Sequence, residues 1–283
     1  MKNKFSVTFL SCIIAWLGVS AQETTQSSGH LGFGLEFLST TGFGFELATP
    51  ASSHFAIRAG ISMFPINIPP QTFHTSISEK IKSQIDEAIA EVPELKPALI
   101  EAKLPTSAGA INTDVNAKGS LGLVNGKILV DYYPSSNMGF HITGGVYIGQ
   151  TDLLKVRGTM DEAIKVLNVL KAHGIDYFDE TFVVDADQGS YQLTGNEITD
   201  IRGSVRINAV KPYFGLGFGH AVPKSSVNVS FEIGAFYQGT PKPIGDSKNM
   251  QDFIDNKLSD VTDVLNKFPV YPVLSLKVNF RLF

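Results

Sequence analysis

Charged residues occur singly on the polar sides of alternating apolar segments, with both signs equally represented. The acids are Glu36, Glu46, Asp131 and Glu232, and the bases are Arg58, Arg206, Lys277 and Arg281. Charges on a face that is closed off from water are tolerated only when they are paired. This balance predicts a hydrogen-bonded ion-pair network, in which His141 would be a group that titrates near neutral pH.

Motifs for catalysis or metal binding are sparse. The six histidines are scattered, and no GxSxG, HExxH or phosphate-binding loop is present. Asp185 and Asp187 alternate as in a calcium loop, but no glutamate follows at the required spacing, and a turn explains them equally well. We therefore expect no cofactor, no metal site and no catalytic residue. A lipid-modifying enzyme with a Ser–His pair on its barrel stays open as a less favoured alternative.

The N-terminal residues have the order of an export signal. Two lysines precede an apolar stretch and a small-residue cleavage site that ends at Ala21. We expect residues 1–21 to be removed and residues 22–30 to form a short N-terminal segment. A retained anchor is disfavoured because the apolar stretch is short, and a lipoprotein is disfavoured because that stretch runs on past Cys12. Cys12 is the only cysteine, so the mature chain would hold no disulfide.

Segments with a period of two recur eight times in the rest of the chain. They lie at residues 31–38, 42–48, 55–63, 127–133, 140–148, 205–219, 227–237 and 271–283. One face of each segment is apolar, and the other carries glycine, small polar residues or the charges. Pro212 interrupts the sixth segment and predicts a bulge.

An even number of such strands can close into a barrel without a free edge, as a lipid environment requires. The sequence therefore predicts an all-β membrane protein, a closed antiparallel eight-stranded up-and-down transmembrane β-barrel over residues 31–283. An exported β-sandwich with helical insertions is the alternative. It is disfavoured because the outward faces carry almost no charge, whereas a soluble sheet would expose charged residues on one side.

Three of the connections are long, and they all fall on the same side of the predicted barrel. They are residues 65–126, 150–203 and 239–270, and the other side has short turns. Each long connection contains an amphipathic helical pattern. These patterns lie at residues 76–92, 159–172 and 249–268, and capping boxes are predicted at Ser76 with Glu79 and at Thr159 with Glu162. We expect helix-bearing outer loops that pack together, with insertion into the membrane interface as the alternative.

Four segments carry a resemblance to known proteins. They read GKILVDYYPSSNMGFHITGGVYIG (126–149), VKPYFGLGFG (210–219), FEIGAFYQGTPK (231–242) and FPVYPVLSLKVNF (268–280). In this order they resemble a largely uncharacterised family of Gram-negative outer-membrane β-barrel proteins, small barrels of the OmpA/OmpW type. The resemblance implies a location in the cell outer membrane but no activity and no catalytic residue. It also implies recognition of the last strand by the barrel-assembly machinery, for which Phe280 and Phe283 are the expected signal. Arg281 stands where such chains usually have an aromatic residue.

Two functions fit these patterns. The favoured one is a monomeric structural or binding protein that meets a small-molecule or envelope ligand through its helical outer loops. In that case the interior charges plug the barrel. The alternative is a narrow gated channel for small solutes, and the many glycines on the polar faces support this alternative. The expected partners are outer-membrane lipid and the assembly machinery; with a net charge of −4 and no basic stripe, nucleic acid is not expected.

Overall fold

The structure is a computed structural model that describes residues 30–186, 189–257 and 263–282. The predicted signal peptide and most of the segment 22–30 lie outside the described residues. In chain order the strands are β1 (Gly32–Ser39), β2 (Phe43–Pro50), β3 (Phe55–Phe73), β4 (Thr75–Ile77), β5 (Val115–Tyr132), β6 (Phe140–Gly149), β7 (Asp152–Thr159), β8 (Thr181–Ala186), β9 (Gly189–Thr194), β10 (Ile201–Arg206), β11 (Val210–Phe218), β12 (Val227–Tyr237), β13 (Lys242–Gly245) and β14 (Val270–Arg281). The helices are α1 (Glu79–Glu91), α2 (Leu95–Glu101), α3 (Asp161–Ala172), α4 (Gly195–Thr199) and α5 (Lys248–Lys257).

Eight of these strands close into an antiparallel barrel. Their order around it is β5, β3, β2, β1, β14, β12, β11 and β6, and β6 pairs back to β5. The first and last strands of the barrel pair with each other, with Phe33 opposite Phe280. The prediction of a closed eight-stranded antiparallel barrel is therefore confirmed. Closure gives every barrel strand two hydrogen-bonded neighbours, so none is left as an edge.

The sixth predicted strand was wrong in its extent. Residues 207–209 separate β10 from β11, and only β11 belongs to the barrel. Pro212 does not form a bulge: it lies in regular register opposite Val146 of β6. On its other side the pairing with β12 begins only at Tyr213. Proline has no N–H to donate, and none is needed on the β12 side, because Pro212 is not paired there.

Two barrel strands continue far beyond the barrel on the side of the long connections. β3 has 19 residues and β5 has 18, against 8 to 12 in the other barrel strands. Beyond the barrel, β5 leaves β6 and pairs with β7, which is followed by β10 and β13. We call the upper part of β5 together with β7, β10 and β13 the extension sheet.

The three long connections, residues 74–114, 150–209 and 238–269, form a second folded unit that we call the cap. A core of buried apolar side chains joins elements from the first two connections, and Met250 from the third packs against it. Leu95, Leu99 and Leu170 are fully buried in this core. Strands β4, β8 and β9 form a separate three-stranded sheet in the cap.

The predicted helices occur, but their predicted N-terminal caps were wrong. α1 begins at Glu79 after Ser78, and α3 begins at Asp161 after Met160, both without a side-chain cap. Ser76 and Thr159 are strand residues instead. A complete capping box does occur at Thr194 and Glu197, at the start of α4. The helix predicted at 249–268 is present as α5, and part of its remainder lies outside the described residues.

The barrel exposes its large apolar side chains and buries its charged ones. The exposed set, which we call the apolar belt, is Leu35, Phe37, Phe43, Phe45, Leu47, Phe55, Ile61, Met63, Val124, Ile128, Val130, Tyr132, Phe140, Ile148, Val210, Phe214, Leu216, Phe218, Val227, Val229, Phe231, Ile233, Tyr237, Val270 and Leu274. Among the described residues, no helix is long and apolar enough to cross a membrane.

Candidate functional site

Arg58 lies at the centre of the barrel interior and contacts three carboxylates from three other strands. Its Nη1 is 3.0 Å from Glu46 Oε1, and its Nη2 is 2.8 Å from Asp131 Oδ1 and 2.7 Å from Glu232 Oε2. All four side chains are almost completely buried. Charge-assisted hydrogen bonds of this length are the strong kind. One guanidinium thereby ties the wall of the barrel together across its interior.

Two lysines complete the ion pairs around this centre. Lys277 Nζ lies 3.1 Å from Glu46 Oε1 and 3.0 Å from Glu232 Oε2. Lys127 Nζ lies 2.7 Å from Glu36 Oε2 and 3.1 Å from Glu46 Oε2. Glu46 therefore meets three cations. We call Glu36, Glu46, Arg58, Lys127, Asp131, Glu232 and Lys277 the interior network.

Neutral groups satisfy further oxygens of the network. The hydroxyl of Tyr213 donates to Glu232 Oε1 at 2.6 Å, and that of Thr143 donates to Asp131 Oδ1 at 2.8 Å. His141 Nε2 is 3.9 Å from Glu232 Oε2, and its Nδ1 donates to the carbonyl of Gly139. The sequence had suggested His141 as a member of this group, and the structure places it at the edge of the network.

Two of the predicted interior bases lie elsewhere. Arg206 is the last residue of β10, outside the barrel, where it is exposed and pairs with Asp152 at 3.1 Å. Arg281 is the last residue of β14, is exposed, and donates to the carbonyl of Lys224. Arg281 was wrongly placed because alternation gives the face of a strand residue but not its height along the barrel. Arg206 was wrongly placed because its segment was taken as part of a barrel strand, whereas β10 lies outside the barrel.

Lys127 is a base of the interior network that was not predicted from the sequence. Its position four residues before Asp131 puts it on the same strand face, so the alternation rule could have found it. Lys211 was missed as well. It is fully buried above the network, where its Nζ donates to Asn125 Oδ1 at 2.9 Å and to the carbonyl of Gln150.

A layer of aromatic and aliphatic side chains closes the barrel on the cap side of the network. Tyr147 contacts Tyr213 and Phe236, and Phe236 stacks on Tyr271 with ring centroids 4.9 Å apart. Leu123 and other apolar side chains pack against these rings. This layer, which we call the aromatic layer, puts an apolar barrier between the interior charges and the cap.

The interior glycines make room for neighbouring side chains. A Cβ atom at Gly215 or Gly234 would overlap the ring of Tyr213, and one at Gly217 would overlap His141. The ring of Tyr213 therefore lies flat against the wall of its own barrel. These glycines allow the interior to be filled, which argues against a continuous open path along them.

The end of the barrel with short turns is also closed by side chains. Tyr133 stacks on His220 and contacts His141, and its hydroxyl accepts a hydrogen bond from the backbone of Ala221. Burial lowers the pKa of His220, and the positive charges of Lys224 and His141 lower it further. His220 is therefore neutral at neutral pH.

Several sequence predictions fall on residues that the structure does not fully describe. Phe283, one of the two residues of the expected assembly signal, lies outside the described residues. The other, Phe280, is half-buried in β14 opposite Phe33. Asp187 of the calcium-like motif also lies outside them. In the part of the chain that is described, no group of three or more histidine, cysteine, aspartate or glutamate side chains is arranged to hold a metal ion.

The fold and this interior define a closed β-barrel with its charges inside and its apolar side chains outside. No protein-family model and no curated protein matches the chain. Similar solved structures include the crystal structures of Acinetobacter baumannii CarO and CarO2. CarO is 14% identical, with a TM-score of 0.41 over 88% of this chain and 96% of the other. CarO2 is 16% identical, with a TM-score of 0.42 over 89% and 98%.

Proposed function

We propose that this chain is a monomeric outer-membrane β-barrel with a closed interior, and that its cap is the part that binds an envelope or small-molecule ligand. The observation that carries the proposal is the inverted burial of the barrel. A soluble monomer rarely exposes a continuous apolar patch of more than a few hundred Å². The apolar belt instead surrounds all eight strands, which is the surface that lipid requires.

The strand lengths support the same setting. β12 has 11 residues and β6 has 10. A transmembrane strand tilted by about 45° needs roughly 9–11 residues to cross the hydrocarbon core. The wall of the barrel therefore matches the thickness of a bilayer, with the cap on one side of it.

The closed interior favours a structural or binding role over the channel. A conduit needs a path past the interior network, but Arg58 and Lys277 link carboxylates on opposite walls. The aromatic layer adds an apolar barrier that a hydrated ion would have to cross. Eight strands enclose only enough space for side chains or one small ligand.

The cap is the part of the molecule left free to meet a partner. Its own apolar core gives it a fixed shape rather than that of a set of loose loops. A small cleft in it is lined by residues of β9, α4, β10 and α5 and of the turns between them, including Glu197, Asp200, Arg202 and Asp246. The volume of this cleft is only about 30 Å³, so the proposed ligand would contact the surface of the cap rather than an enclosed pocket.

Planar-bilayer conductance together with outer-membrane fractionation tests the proposal. We expect the protein in the outer-membrane fraction, with a gel mobility that changes on boiling, as folded barrels show. In planar bilayers we expect no stable openings from protein shown to be inserted. Openings of constant size from the unmodified chain would instead establish the channel, and recovery in the soluble fraction would rule out the membrane setting.

Two double variants test whether the aromatic layer is the reason for an absence of conductance. Phe236→Ala together with Tyr271→Ala removes rings from the aromatic layer, and Phe218→Ala together with Phe231→Ala removes two rings from the belt. If the layer blocks the interior, only the first pair raises leakage of small ions. Equal leakage from both pairs would indicate general loosening of the barrel.

A further inference from the structure

One face of the extension sheet is rich in cations. The six side chains are Lys118, Lys155, Arg157, Arg202, Arg206 and Lys242. Lys118 lies directly opposite Arg157 on the neighbouring strand, and Arg157 lies directly opposite Arg202 on the next. Residues that are directly opposite in an antiparallel pair point to the same side. The three side chains thus form a row across β5, β7 and β10.

The other three cations lie on the same side of the sheet. Lys155 is two residues from Arg157 along β7, and Arg206 is four residues from Arg202 along β10. Lys242 lies directly opposite Arg206 on β13. The register of β10 with β7 shifts between Val205 and Arg206, but Arg206 and Lys155 both contact Asp152. All six cations therefore share one face, which we call the cationic face.

The cationic face continues the outer surface of the apolar belt. On β5 the exposed belt residues Val124, Ile128 and Val130 have the same parity as Lys118. The register of β5 with β6 and with β7 runs without a shift. Lys118 is six residues beyond Val124, which is about 20 Å along the strand at a rise of ~3.3 Å per residue. The cations therefore lie just outside the hydrocarbon region, on the side of the cap.

The opposite face of the sheet packs in part against the cap core. Val115 and Ile201 pack against the cap core, and Gly158 is buried beneath them. The cap core thus covers part of this side, on which Val156 stays 36% exposed, and the cationic face points away from the core.

Carboxylates neutralise only part of this face. Arg202 pairs with Asp200 and lies 3.8 Å from Asp246, and Asp152 is shared by Arg206 and Lys155. At the upper edge, Asp161 is held by hydrogen bonds from Thr159 and Asn116. Across the described residues, Lys118, Arg157 and Lys242 make no ion pair within 4.0 Å and no side-chain hydrogen bond, although the charge of Arg157 acts on Asp200. In a chain with a net charge of −4, this surplus of cations is local.

We propose that the cationic face binds the phosphorylated headgroups of an anionic glycolipid in the leaflet next to the cap. The inference rests on the proposed function, because only an inserted barrel brings this face to the height of lipid headgroups. Arginine forms paired hydrogen bonds with phosphate oxygens, and lysine supplies a compact charge beside it. Acyl chains of the same lipid would lie against the belt directly below. The partner is thus a lipid with phosphate on its headgroup, held by charge above and by apolar contact below.

Titration of the folded protein with diphosphoryl lipid A in a neutral detergent tests the inference, with native mass spectrometry as the readout. The test variant is Lys118→Gln with Arg157→Gln. The control is Lys80→Gln with Lys96→Gln, which removes two exposed lysines from α1 and α2 elsewhere on the cap. Each cation near an anionic lipid surface contributes roughly a fivefold change in binding. We expect the test variant to bind about 25-fold more weakly and the control to bind within twofold of the parent chain.

The outcomes separate this inference from the proposed function. Equal weakening by both pairs, or no binding of lipid A to protein that inserts into neutral phosphatidylcholine vesicles, would overturn the lipid site alone. Failure to insert into any vesicle would overturn the proposed function itself. Inorganic pyrophosphate is the third arm: if it displaces lipid A at equal concentration, the face recognises free phosphate and the headgroup assignment is wrong.

Discussion

The barrel and the cap solve the same packing problem in opposite ways. The barrel buries seven charged side chains in its interior network and exposes the apolar belt. The cap buries leucine, isoleucine and valine and exposes most of its charges. Both units come from one chain with 43% hydrophobic residues. Composition therefore does not decide which residues are buried; the surroundings of each unit do.

The barrel and the cap depend on different interactions for their stability. In the cap, water drives apolar side chains together, and each contributes in proportion to the surface that it buries. In the proposed membrane setting, lipid offers the barrel no such drive, so closure of the backbone ladder and pairing of the buried charges must hold the wall. The same substitution should therefore have opposite consequences in the two units.

Removing the central cation of the interior network should have the largest effect. Arg58→Met leaves Glu46, Asp131 and Glu232 short of a partner. An unpaired buried charge costs about 3–5 kcal/mol. We expect that loss in the free energy of unfolding, measured by urea titration of the protein in lipid vesicles. The control is Arg206→Met, which removes an exposed arginine with one ion pair and should change the value by about 1 kcal/mol or less. A loss of similar size in both variants would mean that the interior is not closed off from water.

The next largest effect should fall on the cap alone. Leu170 is fully buried in the cap core, and Leu170→Ala should remove about 3 kcal/mol from the stability of this unit. We expect faster hydrogen exchange throughout α3 and its neighbours, while the barrel keeps its change of gel mobility on boiling. Loss of that change as well would show that cap and barrel unfold as one unit.

A pair of exposed isoleucines tests the comparison most directly. Ile233 in the belt is 55% exposed, and Ile100 on the surface of the cap is 61% exposed. Ile233→Arg should destabilise the inserted barrel by about 2–4 kcal/mol, because a charge would face lipid near mid-membrane. Ile100→Arg should change stability by about 0.5 kcal/mol or less, because it meets water. Equal and small effects in the unfolding titration would show that the belt also faces water.

The barrel could be predicted from the sequence because its signal is local. Alternation along a single strand gives the two faces, and each of the eight segments with that pattern contains one barrel strand. The pairing of the charges could not be derived in the same way. Arg281 has the correct parity but lies at the end of β14, and Arg206 lies on β10, which is outside the barrel. Lys127 lies among the carboxylates of the interior.

The cap could be predicted only in part. Helices α1, α3 and α5 follow from their apolar spacing, but the short helices α2 and α4 were not predicted. Strand β7 carries charged residues at positions 155 and 157 and an apolar residue between them, with no longer pattern. Ser76 shows a second reason. Its spacing to Glu79 suits a capping box, yet it pairs in β4 opposite Asp185, and a distant strand thereby overrides the local signal.

The smallest predicted effect concerns the joint between two of the cap's connections. Glu197 Oε2 accepts hydrogen bonds from the backbone of Thr194 at 2.7 Å and from Asn249 Nδ2 at 2.8 Å. Burial alone would raise the pKa of Glu197, but hydrogen bonds from Ser247, Thr194 and Asn249 lower it below the ordinary 4.5. The pKa of Glu197 is thus lower in the folded protein than in the unfolded chain. Its contribution to stability is complete above pH 4.5 and is lost as the pH falls through the folded value.

Glu197→Gln tests this joint with little change in side-chain shape. We expect a loss of about 1 kcal/mol or less at pH 7, reduced by the partial exposure of the site. Between pH 5 and pH 3 the parent cap should lose the stability that the variant already lacks at pH 7. The free energies of local unfolding of the two proteins should therefore converge, and hydrogen exchange of α4 and α5 would measure them. The barrel should not respond, because the substitution leaves its interior network unchanged. Parallel curves for the two proteins would mean that Glu197 carries no charge-dependent contact, and that apolar packing alone joins these connections.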